Sequence, residues 1–154
     1  MRRADRALNR EAALETLDRC VFGVLSLCAP DGTPYAVALN LVRDGDHLYF
    51  HCASEGLKVD LLRQNPKVCV LFVDNAAIDQ AGLTTHYASA LVRGTAREVV
   101  QIEEKRRALM LLCMRYAPEF AEKGNRCATE SADHTGVWCV ELESITGKQN
   151  APKA

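Results

Sequence analysis

Hydrophobic and polar positions in the first third of the chain predict one helix followed by three strands. Asn9 can cap a helix over about residues 10–20, in which Ala13, Leu14 and Leu17 lie on one apolar face. Strands are predicted at 21–27, 35–42 and 47–52, with the turn sequences A-P-D-G and R-D-G-D between them. Because such short connections cannot cross over to a parallel neighbour, the three strands should form an antiparallel meander.

The rest of the chain predicts further helices and strands. Ser54 is a candidate N-cap for a short helix that runs to about Gln64, where Asn65-Pro66 ends it. The remaining elements are a buried strand at 67–73, a polar loop at 74–82, a long strand at 84–99, a helix at 102–116, an irregular charged segment at 117–134, a strand at 135–143 and a polar tail at 144–154. Gly94, inside the long strand, indicates a bulge or a bend. These elements predict a single domain over 1–154 of the α+β class, an antiparallel barrel of about six strands with two to three helices.

Composition and charge exclude several classes of protein. Hydrophobic residues make up 48% of the chain and charged residues 25%, which is typical of a globular domain. The 19 basic and 20 acidic side chains give a net charge of -1, so we expect no nucleic-acid partner. The apolar runs are too short for a membrane-spanning helix or a signal sequence, and we expect a cytoplasmic protein. The 7 cysteines form no C-x-x-C pair, and their odd number favours reduced thiols over disulfides.

The usual sequence signatures of nucleotide, hydrolase and metal sites are missing. There is no G-x-G-x-x-G or Walker phosphate loop and no G-x-S-x-G nucleophile elbow. His47 and His51 are four residues apart, but on a strand this spacing separates them by about 13 Å, too far to share a metal ion. His86 and His134 have no partner at zinc-ligand spacing, so we expect no metal site.

The predicted strand 35–42 contains a first candidate binding surface. Alternation places Tyr35, Val37, Leu39 and Leu41 on one face and Ala36, Ala38, Asn40 and Val42 on the other. Two alanines and an asparagine make a shallow surface on which a flat ligand can reach the backbone. The alternative is that the alanines pack under a helix.

The second candidate is the start of the helix that follows strand 47–52. A helix N-terminus favours an anion, because it presents unpaired N–H groups and a partial positive charge. Here Ser54 adds a hydroxyl, Gly56 allows close approach of the backbone, and Lys58 adds a full positive charge. The alternative is an ordinary capped helix with a surface lysine.

Two adjacent stretches carry a resemblance to a known family. They are F-H-C-A-S-E-G-L-K at 50–58 and D-L-L-R-Q-N-P-K-V-C at 60–69, and they closely resemble the pyridoxamine 5′-phosphate oxidase-related flavoproteins, in particular the 5-nitroimidazole resistance (Nim-type) branch. Four other pieces agree in order: D-G-T-P-Y at 31–35, A-S-A-L-V-R-G-T-A at 88–96, E-E-K-R-R-A-L at 103–109 and I-T-G-K-Q-N at 145–150. The resemblance therefore spans nearly the whole chain.

The resemblance implies an antiparallel split β-barrel of Greek-key type that forms a homodimer and binds FMN in two clefts between the subunits. The flavin ring would lie along the strand at 36–41, and the strand end at His51 and Cys52 would lie beside the ribityl chain and phosphate. Lys58 matches a phosphate-binding lysine, and Ser89 matches a polar residue in the strand before Gly94. The expected FMN-binding residues are Val37, Ala38, Leu39, Asn40, His51, Cys52, Ser54, Lys58 and Ser89.

The resemblance also implies a chemistry, that of an FMN-dependent oxidoreductase with a small-molecule substrate. A nitroreductase for 5-nitroimidazole-like or other small aromatic compounds is the specific case. His51 is the candidate catalytic residue, as a proton donor to a reduced nitro group, and the alternative is that it only braces the phosphate turn. A non-catalytic flavin- or haem-binding protein, with haem as the minor cofactor, is the alternative function.

Two departures separate the chain from the oxidase itself. The oxidase has an arginine before the phosphate-binding lysine and a basic residue opening the first flavin strand, where this chain has Leu57 and Ala36. Its arginine-rich C-terminal segment is not recognisable in S-I-T-G-K-Q-N, so pyridoxamine phosphate is not the expected substrate. Trp138, the only tryptophan, is expected in the core, with a place beside the cleft as the alternative.

Overall fold

The computed structural model describes residues 3–151, which form eight strands and four α-helices. The strands are β1 Ala7–Leu8, β2 Gly23–Cys28, β3 Pro34–Leu39, β4 Val42–Asp44, β5 His47–Cys52, β6 Lys67–Asp79, β7 Thr84–Glu98 and β8 Gly136–Asn150. The helices are α1 Arg10–Arg19, α2 Leu57–Gln64, α3 Ile102–Tyr116 and α4 Ala121–Glu130, with 3₁₀ turns at Ala4–Arg6 and Pro118–Phe120. Within these residues, every helix falls short of the length and apolar character that a membrane crossing needs.

The strands form one antiparallel sheet in the order β3-β2-β6-β7-β8-β5-β4, with β1 beside β8. β2 and β3 form a hairpin, and so do β4 and β5, as the short turns between them predict. β5 pairs with β8 and not with β6, because α2 carries the chain from one part of the sheet to another. The predicted α+β class and antiparallel split barrel are therefore confirmed, with eight strands and four helices in place of about six strands and two to three helices.

The sheet encloses a main core and carries a smaller one under α3. The main core includes Leu25, Leu48, Phe50, Val70, Phe72 and Trp138, so the expectation for the only tryptophan holds. The smaller core contains Val42, Tyr49, Val99, Ala108, Leu112, Val137 and Cys139. β5 contributes to both cores, because its alternate side chains point to the barrel interior and to α3. The strand is thus held on both faces, and this fixes where the turn after it begins.

Several predicted elements have the predicted position. α1 begins after Asn9, whose side-chain oxygen accepts a hydrogen bond from the Ala12 N–H at 2.8 Å. The predicted apolar face of this helix is right except at Leu14, which is only half-buried while Thr16 is buried. α3 and β5 have their predicted bounds, and α2 ends at Gln64. The register of β7 against β8 shifts at Gly94, which confirms the bulge.

Two segments, predicted as a polar loop and a polar tail, belong largely to strands. β6 does not end at residue 73 but continues through a bulge after Asp74 to Asp79, because β7 supplies backbone partners as far as Thr84. β8 likewise extends beyond residue 143 to Asn150, since β7 pairs with it up to that point. Polar side chains do not end these strands, because one face of an antiparallel sheet can face water. The predicted tail residues 152–154 lie outside the described residues.

Helix α4 occupies most of the predicted irregular segment 117–134. Its buried side is built from small residues, Gly124 and Ala128, which pack against α3. A helix without large apolar side chains at helical spacing gives no hydrophobic stripe, and the prediction missed it for that reason.

The first two predicted strands also need correction. β2 begins at Gly23, and the preceding Val21 and Phe22 are exposed outside it. The predicted strand 35–42 is divided into β3 and β4 by a break at Asn40 and Leu41. Residues on either side of the break therefore belong to opposite ends of the sheet order.

A half-buried polar cluster fastens α3 to the sheet. The Glu104 carboxylate accepts hydrogen bonds from the Arg97 guanidinium at 2.7 and 3.1 Å and from the Tyr49 hydroxyl at 3.0 Å. Arg97 holds the pKa of the Glu104 carboxyl below its ordinary value of 4.5. Burial, followed by the Glu104 carboxylate, raises the pKa of the Tyr49 hydroxyl. The first turn of α3 is therefore tied to both β5 and β7.

The substitution Glu104→Gln tests this cluster. We expect it to lower the free energy of unfolding by about 1 kcal/mol at pH 7, because a partly exposed charge-assisted pair is lost. A carboxyl whose folded-state pKa is lowered stabilises the protein above its unfolded pKa, near 4.5, and loses that effect as pH falls. The difference between wild type and variant should therefore shrink below pH 4.5 in urea titrations.

The matched control is Glu103→Gln, which removes the same charge from the first turn of α3 at an exposed position. It should leave the urea midpoint nearly unchanged. Equal effects of the two substitutions would mean that only helix-dipole charge, and not the cluster, is involved.

Candidate functional site

The outward face of β3 is open. Tyr35, Val37 and Leu39 pack against the main core, whereas Ala36 and Ala38 are exposed and no helix of residues 3–151 covers them. The predicted alternation is therefore right within β3 and wrong at Val42, which is buried in the smaller core as part of β4. Among the described residues β3 pairs only with β2 and ends the sheet order, so its outer edge leaves backbone groups free. The strand thus offers a small-residue surface with main-chain donors and acceptors.

Asn40 lies at the corner where β3 ends. Its side-chain amide nitrogen donates a hydrogen bond to the Val21 carbonyl at 2.9 Å. At the next residue, the Leu41 carbonyl accepts a hydrogen bond from the Tyr116 hydroxyl at 2.6 Å, which ties α3 to this corner. These two hydrogen bonds hold the Asn40 side chain and the Tyr116 ring in place.

The turn from β5 into α2 differs from its prediction. Ser54 is not the N-cap; the helix begins at Leu57, and Gly56 precedes it with a φ of 120°. This backbone conformation suits glycine, and Gly56 has no side chain to accept a bond from the first N–H groups of α2. Those groups and the positive end of the helix dipole are therefore available to an anion.

Lys58 lies in the first turn of α2. Its ammonium group is over the ring of the buried Phe50, 5.8 Å from the ring centroid, and forms no ion pair with a carboxylate among residues 3–151. The half-buried Cys52 is close enough for its electrostatics to matter: burial raises the pKa of the Cys52 thiol and Lys58 opposes that rise. A positive charge thus stands at the helix start without a partner of opposite sign.

His51 is exposed at the end of β5 and lines a pocket of about 320 Å³ together with Asn40. The pocket lies between α3 and α4. Its α3 wall consists of Leu109, Leu112, Cys113 and Tyr116, and its α4 wall of Gly124, Cys127 and Ala128. Ser131 and Thr135 complete the lining. Two predicted site residues, Asn40 and His51, therefore line the same pocket.

Ser89 is not part of this corner. It lies on β7 opposite Val73 and Lys148, and its hydroxyl donates to the Lys148 carbonyl at 3.3 Å. β7 reaches the level of β5's end only near Glu98, about 30 Å further along the strand. Within one chain, Ser89 and His51 cannot contact the same small ligand.

The α4 side of the pocket was not predicted. The α3 wall belongs to the predicted helix at 102–116, whereas no helix was predicted where α4 lies. The missed signal is the spacing of Gly124, Cys127 and Ala128, whose small side chains fall on one side of a helix. As for metals, residues 3–151 contain no group of three or more histidine, cysteine, aspartate or glutamate side chains placed to hold an ion.

Sequence comparison with known proteins identifies one matching family. A family model described as pyridoxamine 5′-phosphate oxidase matches residues 9–149. The search among curated proteins gives no match.

Solved structures share the fold across most of the chain. A 5-nitroimidazole antibiotic resistance protein described as putative, from Bacteroides thetaiotaomicron, has 23% identity and a TM-score of 0.78, with 93% of this chain and 86% of that one covered. A flavocytochrome from Azotobacter vinelandii has 18% identity and a TM-score of 0.83, with 99% and 72% covered. An FAD- and haem-binding protein from Mycobacterium smegmatis has 21% identity and a TM-score of 0.78, with 95% and 74% covered. At these identities the likeness shows a common fold.

Proposed function

The chain belongs to the pyridoxamine 5′-phosphate oxidase family, and on that premise we propose that it is an FMN-dependent oxidoreductase acting on small aromatic compounds. The observation that carries the proposal is the Lys58 ammonium, which has no carboxylate partner within residues 3–151, at a helix start that no side chain caps. A phosphate there would gain both a full charge and free backbone N–H groups. When bound, FMN would supply the electron transfer.

The rest of the corner suits the other parts of FMN. A ring lying along β3 would contact Ala36 and Ala38 and reach the free backbone edge over 37–40. Cys52, the last residue of β5, and Ser54, in the turn before α2, would flank the ribityl chain. Leu57 is 61% exposed and uncharged, so Lys58 and the helix start would hold the phosphate without a second cation.

A second copy of the chain is the proposed partner. Ala38, Val24, Leu71 and Leu91 face one another in register across β3, β2, β6 and β7. This outer sheet face includes Leu71, 38% exposed, and Val73, 51% exposed. A homodimer formed through it would cover the face and bring Ser89, opposite Val73, toward the partner's cleft.

His51 is the proposed proton donor for the reaction. Its imidazole stands exposed at the mouth of the apolar pocket, where it can hydrogen-bond to a substrate's nitro oxygen. The Bacteroides neighbour's name supports a nitroimidazole as the substrate. A second candidate function is a non-catalytic flavin or haem protein. It is favoured by the names of the flavin- and haem-containing neighbours and by the same exposed imidazole.

We also propose a reducing compartment, the cytoplasm. The odd number of cysteines and the lack of a C-x-x-C pair support this proposal, since both favour reduced thiols over disulfides.

The substitution Lys58→Gln tests the phosphate site. We expect FMN affinity, measured by titration calorimetry, to fall about 10- to 100-fold, because one charge-assisted hydrogen bond is lost. Lys123→Gln is the matched control. It changes an exposed position of α4, and this variant should bind FMN as the wild type does. Unchanged affinity in Lys58→Gln would place the anchor elsewhere, and a Soret band after haem addition with no FMN binding would favour the second function.

The substitution Leu71→Glu tests the dimer. We expect wild type to sediment as a dimer and this variant as a monomer with weakened FMN binding, because a charge is placed in the apolar face. Ile78→Glu is the control, since Ile78 is exposed on the same strand beyond the bulge. A wild-type protein that is monomeric and still binds FMN tightly would refute the inter-subunit cleft.

The substitution His51→Ala separates catalysis from cofactor bracing. Protein loaded with FMN and chemically reduced is mixed with 2-methyl-5-nitroimidazole, and nitro reduction is followed by stopped flow. Loss of a proton donor should slow the reaction about 100-fold or more with FMN affinity unchanged. His47→Ala, on the same face of β5, is the control. A drop in FMN affinity alone would assign His51 to bracing.

A further inference from the structure

Helix α4 is attached to the protein differently from the other three helices. Among the described residues, no side chain of α4 forms a hydrogen bond or an ion pair with another helix or strand. The Thr129 hydroxyl, for example, donates to the Asn125 carbonyl of the same helix at 2.9 Å. The ion pairs that join the other helices to strands include Arg19–Asp74 for α1, Arg63–Glu98 for α2 and Arg97–Glu104 for α3.

Apolar burial adds little to the attachment of α4. Of the 10 residues described for this helix, Ala128 alone is buried. The shorter α2 buries three larger side chains, Val59, Leu61 and Leu62. Because the hydrophobic effect is roughly proportional to the apolar area removed from water, one alanine holds a helix far less firmly than these three residues do. A segment with so few buried apolar contacts is expected to open locally while the rest of the protein stays folded.

Both ends of α4 are joints in the chain. Before it, the backbone leaves the α3 conformation at Ala117, with a φ of -148°, and Pro118 follows without an N–H to bond back to α3. After it comes the turn at 131–135, in which the Ser131 carbonyl accepts hydrogen bonds from the Thr135 hydroxyl at 2.8 Å and the Thr135 N–H at 3.0 Å. The helix can therefore move relative to α3 without disturbing either neighbour's own hydrogen bonds.

Lys105 bridges α3 to the turn that follows α4. Its ammonium group donates to the Ala132 carbonyl at 3.3 Å and to the Thr135 carbonyl at 3.2 Å. Within residues 3–151 it has no carboxylate partner, so its charge is directed at these two carbonyls. The turn leads directly into β8, whose first residue Gly136 pairs with Cys52. Lys105 thus fastens the chain between α4 and the end of β5.

In the structure α4 is closed against α3. A Cβ on Gly124 would lie 2.0 Å from the Cys113 sulfur, so the backbone of α4 contacts this thiol directly. If α4 moved away from α3, Cys113 would be uncovered and the pocket beside His51 would lose one wall. The other wall would stay in place, because the Tyr116 hydroxyl is bonded to the Leu41 carbonyl.

We propose that α4 and the turn at 131–135 form a lid, that this lid opens away from α3 while the barrel stays folded, and that Lys105 is the latch that holds it closed. Lys105 is a positioning residue, because it acts through the turn and does not line the pocket. That the lid closes over a substrate beside His51 rests on the proposed function. That α4 opens, and that Lys105 limits the opening, does not.

Amide hydrogen exchange of the full chain, followed by mass spectrometry, tests the lid. We expect the amides of α4 to exchange about 100-fold faster than those of α3, because α4 has few contacts that must break. Lys105→Met should speed exchange over 121–135 by about a further 10-fold and leave α1 and α2 unchanged, since two charge-assisted hydrogen bonds are lost. Lys123→Met, at an exposed position of α4, is the matched control and should exchange as the wild type does.

Two results of this experiment would overturn the proposal. Equal exchange in α3 and α4 of the wild type would mean that α4 does not open separately. Faster exchange throughout the chain in Lys105→Met would mean that Lys105 stabilises the whole fold and is not a latch.

A disulfide across the two helices gives a second test. A Cβ at position 124 would lie 3.0 Å from the Cys113 Cβ, and a disulfide needs about 3.5–4.5 Å, so a small shift of the helices suffices. In Gly124→Cys, combined with Cys127→Ser to remove the pocket's other thiol, oxidation by diamide should slow exchange in α4 to the level of α3, and dithiothreitol should reverse it. Adding Cys113→Ser should abolish the effect. Fast exchange in the cross-linked protein would refute the lid, and the wild-type experiment does not depend on these variants.

The role of the lid towards a substrate is measured separately. With FMN-loaded, chemically reduced protein, Lys105→Met should raise the concentration of 2-methyl-5-nitroimidazole that gives the half-maximal rate about 10-fold and change the limiting rate less than about 2-fold. If the exchange results are as expected and FMN does not bind, the lid stands and the proposed function fails. If FMN binds and the reaction proceeds, but Lys105→Met has wild-type kinetics, the function stands and the lid's role towards the substrate fails.

Discussion

The structure depends on one strand, β7, which bends while it remains paired on both sides. At the bend, a Cβ on Gly94 would lie 2.1 Å from the Glu141 carbonyl oxygen, so only glycine allows β7 and β8 to come this close. The register between the two strands changes at the same place. A bulge of this kind increases the local twist and curvature of a sheet. The sheet can therefore curl around Phe50 and Phe72 and enclose a core without a second layer.

That curvature decides where a ligand can bind. Because side chains fill the interior of the barrel, functional groups are left to its outside, at the free edge of β3 and around the end of β5. β5 is suited to this role, since its neighbours bury it on both faces. A rigid strand followed by Gly56 and a short helix delivers His51 and Lys58 to fixed positions a few residues apart. The proposed binding groups are thus exposed or half-buried, while the elements that carry them are packed.

The sequence was informative where local chemistry decides the structure and less so where pairing decides it. The Asn9 cap, the end of α2 before Pro66 and the alternation in β3 all follow from neighbouring residues, and each was predicted. The full lengths of β6 and β8 depend on β7 as a partner, which a local pattern does not reveal. Ser54 failed as a cap because Gly56 redirects the backbone first. The resemblance had already grouped His51 with Asn40, but the pocket that they share with α3 and α4 needed the path of those helices, which small residues alone do not indicate.

The buried Trp138 gives the protein an optical consequence. Its indole is 2% exposed and lies opposite Phe50 in the β5–β8 register, and its buried Nε1 has no hydrogen-bond partner within residues 3–151. An indole in such dry surroundings emits in the blue, and unfolding would shift that emission to the red. Phe50 is also the ring beneath the Lys58 ammonium, so a yellow chromophore held at that lysine would quench the same indole by energy transfer. The one tryptophan would thus report both the integrity of the barrel and the proposed binding of a flavin at its outer corner.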